Sequence, residues 1–132
     1  MAESTVTAHI GSTNFQVLLD DGKHTWLADE PASQGGGDRG PSPVAILLSS
    51  LGACTSITLK MYAQRKGWPL ADVRVTLAMA TAEEGSTIDR QIVLEGELTN
   101  EQRERLLQIA NACPVHKILT HPVTIRTGLA VA

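Results

Sequence analysis

Residues 40–59 form a run of twenty uncharged residues, and this run constrains the fold more than any other part of the chain. It is long enough to raise the question of a membrane span. Pro41 and Pro43 lie at one end of it, however, and six serine and threonine hydroxyls lie within it, so a core helix fits better. We therefore predict a long helix over residues 45–66 that ends at Gly67.

The first half of this helix is apolar on nearly every face. The residues concerned are Ile46, Leu47, Leu48, Leu51, Ala53, Cys54 and Ile57. A helix of this kind has to be covered on all sides, whereas one antiparallel sheet shields a single face. A second subunit would supply the remaining cover, so we predict a homodimer with the long helix buried at the interface.

Strand-like segments lie on both sides of the helix. Residues 5–10, 14–19 and 23–28 predict an N-terminal β-meander, and residues 29–43, with three consecutive glycines and three prolines, predict a loop. Apolar and polar residues alternate over 72–79 and 88–95, which predicts a long hairpin. Residues 99–102 match a capping box in front of a second helix, a short helix follows Cys113, and 123–129 predict a last strand. The chain is thus expected to be a single α+β domain, residues 1–132, with an antiparallel sheet and a long buried central helix.

Charge and composition exclude several functional classes. The net charge of -3 gives no attraction for nucleic acid or for an anionic membrane. The glycine run Gly35-Gly36-Gly37 lacks the Gly-Lys-Ser/Thr sequence that holds phosphate, and no cofactor is expected. The chain opens without a basic segment followed by an apolar one, which argues against secretion and favours a cytoplasmic location.

The chain has two cysteines, Cys54 within the long helix and Cys113 directly before Pro114. Proline suits the first helical position, which places Cys113 at the cap beside free backbone N–H groups. These groups are expected to lower the pKa of the Cys113 thiol below the free value of about 8.5. In a reducing cytoplasm, two thiols that oxidise are typical of a transient catalytic pair. The alternative is that both are small buried hydrophobic residues.

The sequence GGGDRGPSP, followed by LLSSLGACTSITLKMYAQRKGW and later by NACPVHKIL, closely resembles the OsmC/Ohr family of osmotically inducible and organic hydroperoxide resistance proteins. The likeness runs over nearly the whole chain, residues 14–129. It is greatest to a small subgroup with Cys-Pro-Val-His around the second cysteine. The resemblance implies a single OsmC-like domain and an intertwined homodimer whose two active sites lie at the subunit interface.

The resemblance also implies a thiol peroxidase reaction. Cys54 would be the peroxidatic thiol, which attacks a hydroperoxide, releases an alcohol and becomes a sulfenic acid. Cys113 would be the resolving thiol that condenses with it to a disulfide. The implied partners are an organic hydroperoxide and a dithiol reductant, which is a lipoylated protein in some relatives.

One part of the family pattern is missing. Well-characterised members pair an arginine from the N-terminal strands with a glutamate upstream of the first cysteine. Here Val44 and Ala45 occupy that stretch, and no arginine precedes Arg39. The group that ionises the peroxidatic thiol must therefore come from elsewhere.

Arg39 is our first candidate for that group, because a guanidinium is permanently charged and its fork can serve thiolate and peroxide together. His116 is the second, because it lies three residues after Cys113 on the same helical face and titrates near neutral pH. Glu30 is a weaker candidate for the missing carboxylate. A solvated loop arginine and a capping or packing histidine are the alternatives.

Two further functions remain open from the sequence. The protein could be a thiol redox sensor or a binding protein for a small apolar ligand, and both predict stoichiometric rather than catalytic turnover. A metal site is the other alternative, with Cys113, His116 and Cys54 as ligands. The fourth ligand would have to be His9, His24 or His121, and no spacing favours any of the three.

Overall fold

The computed structural model describes residues 4–132. The chain divides into two compact units, Met1–Ser49 and Ser50–Ala132, and the boundary falls inside the long helix. The predicted α+β composition with antiparallel pairing is confirmed. That the whole chain acts as one domain stays a prediction.

The N-terminal unit contains a three-stranded antiparallel meander, as predicted. Its strands are β1 (Thr7–Ile10), β2 (Val17–Asp20) and β3 (Thr25–Ala28), and β2 lies between the other two. The turn between β2 and β3 is closed by the Asp20 carboxylate, which accepts a hydrogen bond from the Gly22 N–H at 2.7 Å. A short 3₁₀ helix, Ala32–Gln34, interrupts the predicted loop that follows.

A buried carboxylate organises the glycine-rich loop. Asp29 is 1% exposed and accepts hydrogen bonds from the N–H groups of Glu30, Gly37 and Arg39. A Cβ atom at Gly36 would lie 2.0 Å from the Glu30 carbonyl oxygen, so no larger residue fits this path of the chain. The glycines thus let the backbone close around one charge.

Helix α1 (Pro43–Lys66) begins two residues before the predicted start and ends as predicted. Gly67 has a φ of +73°, and the N–H groups of Gly67 and Trp68 bond the carbonyls of Gln64 and Ala63, which is a Schellman motif. The length and apolar composition of α1 would also suffice for a membrane span, although core helices of soluble proteins share both properties.

Within the single chain, α1 buries one stripe rather than its whole circumference. The buried residues are Leu51, Thr55, Leu59 and Ala63. Apolar residues elsewhere on the helix face solvent, including Ile57 at 57% and Met61 at 63% exposure. The expectation of a helix covered on all sides is therefore not met by one chain.

The C-terminal unit has its own core beside a long hairpin. Strands β4 (Leu70–Ala82) and β5 (Gly85–Gly96) pair antiparallel, and helices α2 (Asn100–Ala110) and α3 (Pro114–Leu119) follow. The core residues are Leu59, Ala63, Leu70, Leu106 and Ala110. The predicted capping box is confirmed, since the Thr99 hydroxyl accepts from the Gln102 N–H and the Gln102 side chain from the Thr99 N–H.

The predicted last strand is not formed within the single chain. Residues 122–132 belong to neither a helix nor a strand. Their apolar side chains are exposed, with Val123 at 60%, Ile125 at 83% and Leu129 fully open to solvent. A strand needs a partner for its backbone groups, and none is provided by the described residues of the same chain.

Candidate active site

Both cysteines of the sequence lie in the C-terminal unit as free thiols, and each shifts the pKa of the other. Cys54 lies in the middle of α1 and is partly exposed. Cys113 is fully buried and forms the N-cap of α3, with Pro114 at the first helical position, as predicted. The fold therefore brings together two thiols that are far apart in sequence.

Cys113 is the more readily ionised of the two. Burial alone would raise its pKa, but nearby donor groups outweigh burial and lower the pKa. These groups are the Cys54 thiol, the backbone N–H groups of His116 and Val115, and the Thr55 hydroxyl. The predicted direction is confirmed, although the donors include two side chains of α1 as well as the cap of α3.

The pKa of Cys54 is shifted in the opposite direction. Burial raises its pKa, and so does the hydrogen bond to Cys113, which uses the Cys54 proton. The Val115 N–H, 3.5 Å from the Cys54 sulfur, and the Thr58 hydroxyl act in the other direction without reversing the shift. Of the two thiols, Cys113 therefore loses its proton more readily and Cys54 less readily.

Arg90 of β5 is the charged residue that sequence reasoning missed at this site. Its Nη1 donates to the Thr55 hydroxyl at 3.1 Å and to the Ala110 carbonyl at 3.5 Å. Its Nη2 donates to the Asn111 side chain at 2.8 Å and approaches the Nδ1 atom of His116 at 3.3 Å. The sequence did contain a signal, because Arg90 occupies an inward position in the alternating pattern otherwise filled by Ile88, Ile92 and Leu94.

His116 lies at the site, with its imidazole turned to Arg90. A guanidinium only donates, so the Nδ1 atom must accept and the ring proton is on Nε2. Burial and then the Arg90 charge lower the pKa of His116. This environment favours a neutral ring near neutral pH, so the direct contribution of His116 to the Cys113 sulfur is its backbone N–H.

Arg39 belongs to the N-terminal unit, where its backbone N–H bonds the Asp29 carboxylate at 3.1 Å. Glu30 lies in the same loop and donates its own N–H to Asp29 at 2.7 Å. The roles assigned to both residues at the first cysteine stay predictions.

The metal alternative depended on Cys113 and His116 acting as ligands. Here the sulfur accepts hydrogen bonds and the Nδ1 atom faces a guanidinium. Across residues 4–132, no group of three or more histidine, cysteine, aspartate and glutamate side chains is placed to hold a metal ion.

A cleft of about 350 Å³ opens next to Arg90 and His116. One part of its wall is aliphatic and the other carries hydroxyl and nitrogen groups. The lining residues are Leu51, Ser86, Ile88, Arg90, His116, Leu119 and Thr120. The cleft offers room for a small organic molecule with one polar end.

Comparison with known proteins places the chain in a family. The family model described as OsmC-like protein matches residues 35–128, which include both cysteines. No curated protein sequence matches the chain.

Solved structures share the fold at low sequence identity. An OsmC-like protein from Mycoplasma pneumoniae is 17% identical with a TM-score of 0.79, over 90% of this chain and 88% of the other. An organic hydroperoxide resistance protein OsmC from Legionella pneumophila is 23% identical, with a TM-score of 0.63 over 90% of each chain. The organic hydroperoxide resistance protein OhrB of Bacillus subtilis is 22% identical, with a TM-score of 0.62 over 89% and 90% of the two chains. By the family match, and with the same fold in these structures, the chain belongs to the OsmC-like protein family.

Proposed function

We propose that this protein reduces organic hydroperoxides to alcohols with its two cysteines and ends each turnover as a Cys54–Cys113 disulfide. The observation that carries the proposal is that α3 brings Cys113 beside Cys54, with the Val115 N–H 3.5 Å from the Cys54 sulfur, while both thiols are free and the pKa of Cys113 is lowered. Relatives named organic hydroperoxide resistance proteins support the choice of substrate.

The difference in exposure supports Cys54 for the first step. Cys54 is partly exposed, whereas Cys113 is fully buried and less open to a peroxide. As Cys54 attacks the distal peroxide oxygen, its proton passes to the Cys113 thiolate. The O–O bond breaks, an S–O bond forms, and the alkoxide takes the proton from Cys113 and leaves as the alcohol. Cys54 is then a sulfenic acid, oxidised by two electrons, and Cys113 is again a thiolate.

Cys113 performs the second step from the same position. Its thiolate attacks the Cys54 sulfur, an S–S bond forms, the S–O bond breaks, and hydroxide leaves. A dithiol reductant of the lipoyl type then reduces the disulfide by exchange and becomes a disulfide itself. Cys113 therefore serves first as a base and then as a nucleophile, and a lowered pKa at this sulfur suits both roles.

The cleft supports an organic peroxide over hydrogen peroxide. Leu51, Ile88 and Leu119 provide aliphatic wall, and burial of a substrate chain against it contributes roughly 25 cal/mol for each Å² removed from water. Hydrogen peroxide has no such chain. We further propose that the protein acts in the cytoplasm as a homodimer, without nucleic acid, membrane or cofactor.

The proposed cycle is tested with Cys54→Ser and Cys113→Ser in an assay of organic hydroperoxide consumption with a dithiol reductant. We expect Cys54→Ser to abolish turnover, because it removes the attacking sulfur. Cys113→Ser should leave at most one turnover per chain and accumulate sulfenic acid, detected by a dimedone-type probe. Mass spectrometry of the oxidised wild type should find the Cys54–Cys113 disulfide.

Ser56→Ala, two residues further along α1, is the matched control and should retain turnover. An unchanged rate in Cys54→Ser would contradict the mechanism. A single stoichiometric oxidation of the wild type in the presence of excess reductant would instead favour a redox sensor. Competition among cumene-type, lipid and hydrogen peroxides then ranks the substrates.

A further inference from the structure

Most N–H donors of the Arg90 guanidinium are hydrogen-bonded to uncharged protein groups. A guanidinium has five N–H donors, and the four on Nη1 and Nη2 have partners on Thr55, Ala110, Asn111 and His116. Across residues 4–132, no carboxylate lies within ion-pair distance of Arg90, since the one ion pair there joins His24 and Asp21. A half-buried positive charge thus lacks a permanent counter-ion.

The Thr55 hydroxyl connects this charge to the dithiol pair. Thr55 is fully buried, and its oxygen accepts from Arg90 at 3.1 Å. The hydroxyl donates its proton to the Leu51 carbonyl at 2.7 Å, and it also lowers the pKa of the Cys113 thiol. Donation by a charged group to the oxygen polarises the hydroxyl and strengthens its own donation. When Cys113 carries a negative charge, the sulfur becomes the stronger acceptor.

We propose that Arg90 is a positioning residue of the dithiol site, which holds the Thr55 hydroxyl next to Cys54 and the Asn111 and His116 side chains on either side of Cys113, and supplies the positive charge that balances a thiolate at Cys113. This inference rests on the proposed function for its catalytic meaning. It gives a residue of the β4–β5 hairpin a cationic role at Cys113, whereas Arg39 and His116 had been offered as the ionising group of Cys54.

The other groups around Cys113 leave that role to Arg90. Cys54 of α1 donates a hydrogen bond but is neutral, and His116 of α3 has a lowered pKa that favours its neutral form. Direct binding of a substrate anion by Arg90 fits less well, because the hydrogens on Nη1 and Nη2 already have acceptors. A purely structural role, in which Arg90 only ties β5 to the end of α2 and to α3, is the alternative that an experiment must exclude.

The test uses the full chain with Cys54→Ser, which leaves Cys113 as the single thiol. The ultraviolet absorbance of the thiolate and the rate of alkylation are measured against pH. Adding Arg90→Met should move the titration of Cys113 upward by about one pH unit and slow alkylation about tenfold at a fixed pH below the transition. Thr55→Val should cause a similar change, and the two together little more than either alone, because they interrupt the same link. Arg90→Lys, which keeps the charge without the fork, should give an intermediate titration.

Arg74→Met removes the same charge from an exposed position on β4 and should leave the titration unchanged. A folded Arg90→Met protein that alkylates as fast as its parent would overturn the proposal, and so would fully additive effects of Arg90→Met and Thr55→Val. If Arg90→Met does not fold, Thr55→Val and Arg90→Lys are measured instead. A Cys113 titration that is unchanged in both variants would overturn the proposal. No hydroperoxide takes part in this titration. An unchanged titration would therefore overturn the role of Arg90 but leave the peroxidase proposal standing. Conversely, absence of peroxidase turnover would leave the result of the titration valid.

Discussion

Asp29 illustrates how much a single buried carboxylate determines about a loop. It accepts three backbone N–H groups, and its pKa is lowered chiefly by the Glu30 N–H, with the Arg39 and Gly37 N–H groups and the Arg39 charge acting in the same direction against burial. A group whose folded pKa is depressed stabilises the fold above its unfolded pKa of about 3.9 and loses that contribution as the pH falls through the folded value.

We expect Asp29→Asn to lower the free energy of unfolding near neutral pH. We also expect this variant to lose less stability than the wild type as the pH falls below 4, because the titrating charge is gone. Urea unfolding at a series of pH values measures both effects. Asp89→Asn, at an exposed position of β5, makes the same charge change and should retain the wild-type pH profile. An Asp29→Asn protein with unaltered acid sensitivity would show that the carboxylate does not organise the loop.

The start of α2 illustrates how a local capping motif fixes the end of a helix. The Thr99–Gln102 capping box fixes the start of α2 with two reciprocal hydrogen bonds of 3.1 and 2.9 Å. Thr99→Ala removes the side-chain acceptor and is expected to cost about 1 kcal/mol in the free energy of unfolding. Thr87→Ala, at an exposed position of β5, is the comparison, and chemical denaturation gives both values. Equal stability of Thr99→Ala and the wild type would contradict the assignment of the cap.

The apolar residues that the single chain leaves exposed favour its association with a second copy. Ile57 and Met61 on α1, and Val123, Ile125 and Leu129 near the C-terminus, are all more than half exposed. Clusters of exposed apolar residues typically mark interaction sites. A second copy of the chain would cover α1 and could offer a sheet edge to residues 122–132.

We therefore predict a homodimer with twice the monomer mass of 14.1 kDa in analytical ultracentrifugation. Met61→Glu places a charge on the exposed apolar face and should shift the distribution toward the monomer. Gln64→Glu adds the same charge at an exposed polar position of the last turn and should remain dimeric. A wild-type chain that is monomeric at all concentrations would contradict this prediction.

Elements governed by local chemistry were predictable from the sequence. The end of α1 at Gly67, the capping box and the cap at Cys113 each depend on neighbours within a few residues. The meander and the hairpin join strands that follow one another directly in the sequence, so pattern and spacing suffice for all of them. The apolar run of α1 likewise indicated that much of this helix surface has to be buried. It could not show which residues of the helix are buried within one chain. The position of Cys113 at a helix start was predictable in the same way, because proline suits the first helical position, whereas the catalytic roles of both cysteines stay predictions.

The relation between the site residues was decided by tertiary structure alone. The approach of Cys54 to Cys113, the Thr55 hydroxyl between charge and sulfur, and the position of Arg90 each join elements that are distant in sequence. Periodicity shows that Arg90 points inward, but it does not show what it meets. Which sulfur ionises depends on the balance of burial against hydrogen bonds, and that balance exists only once α1, β5 and α3 have packed together.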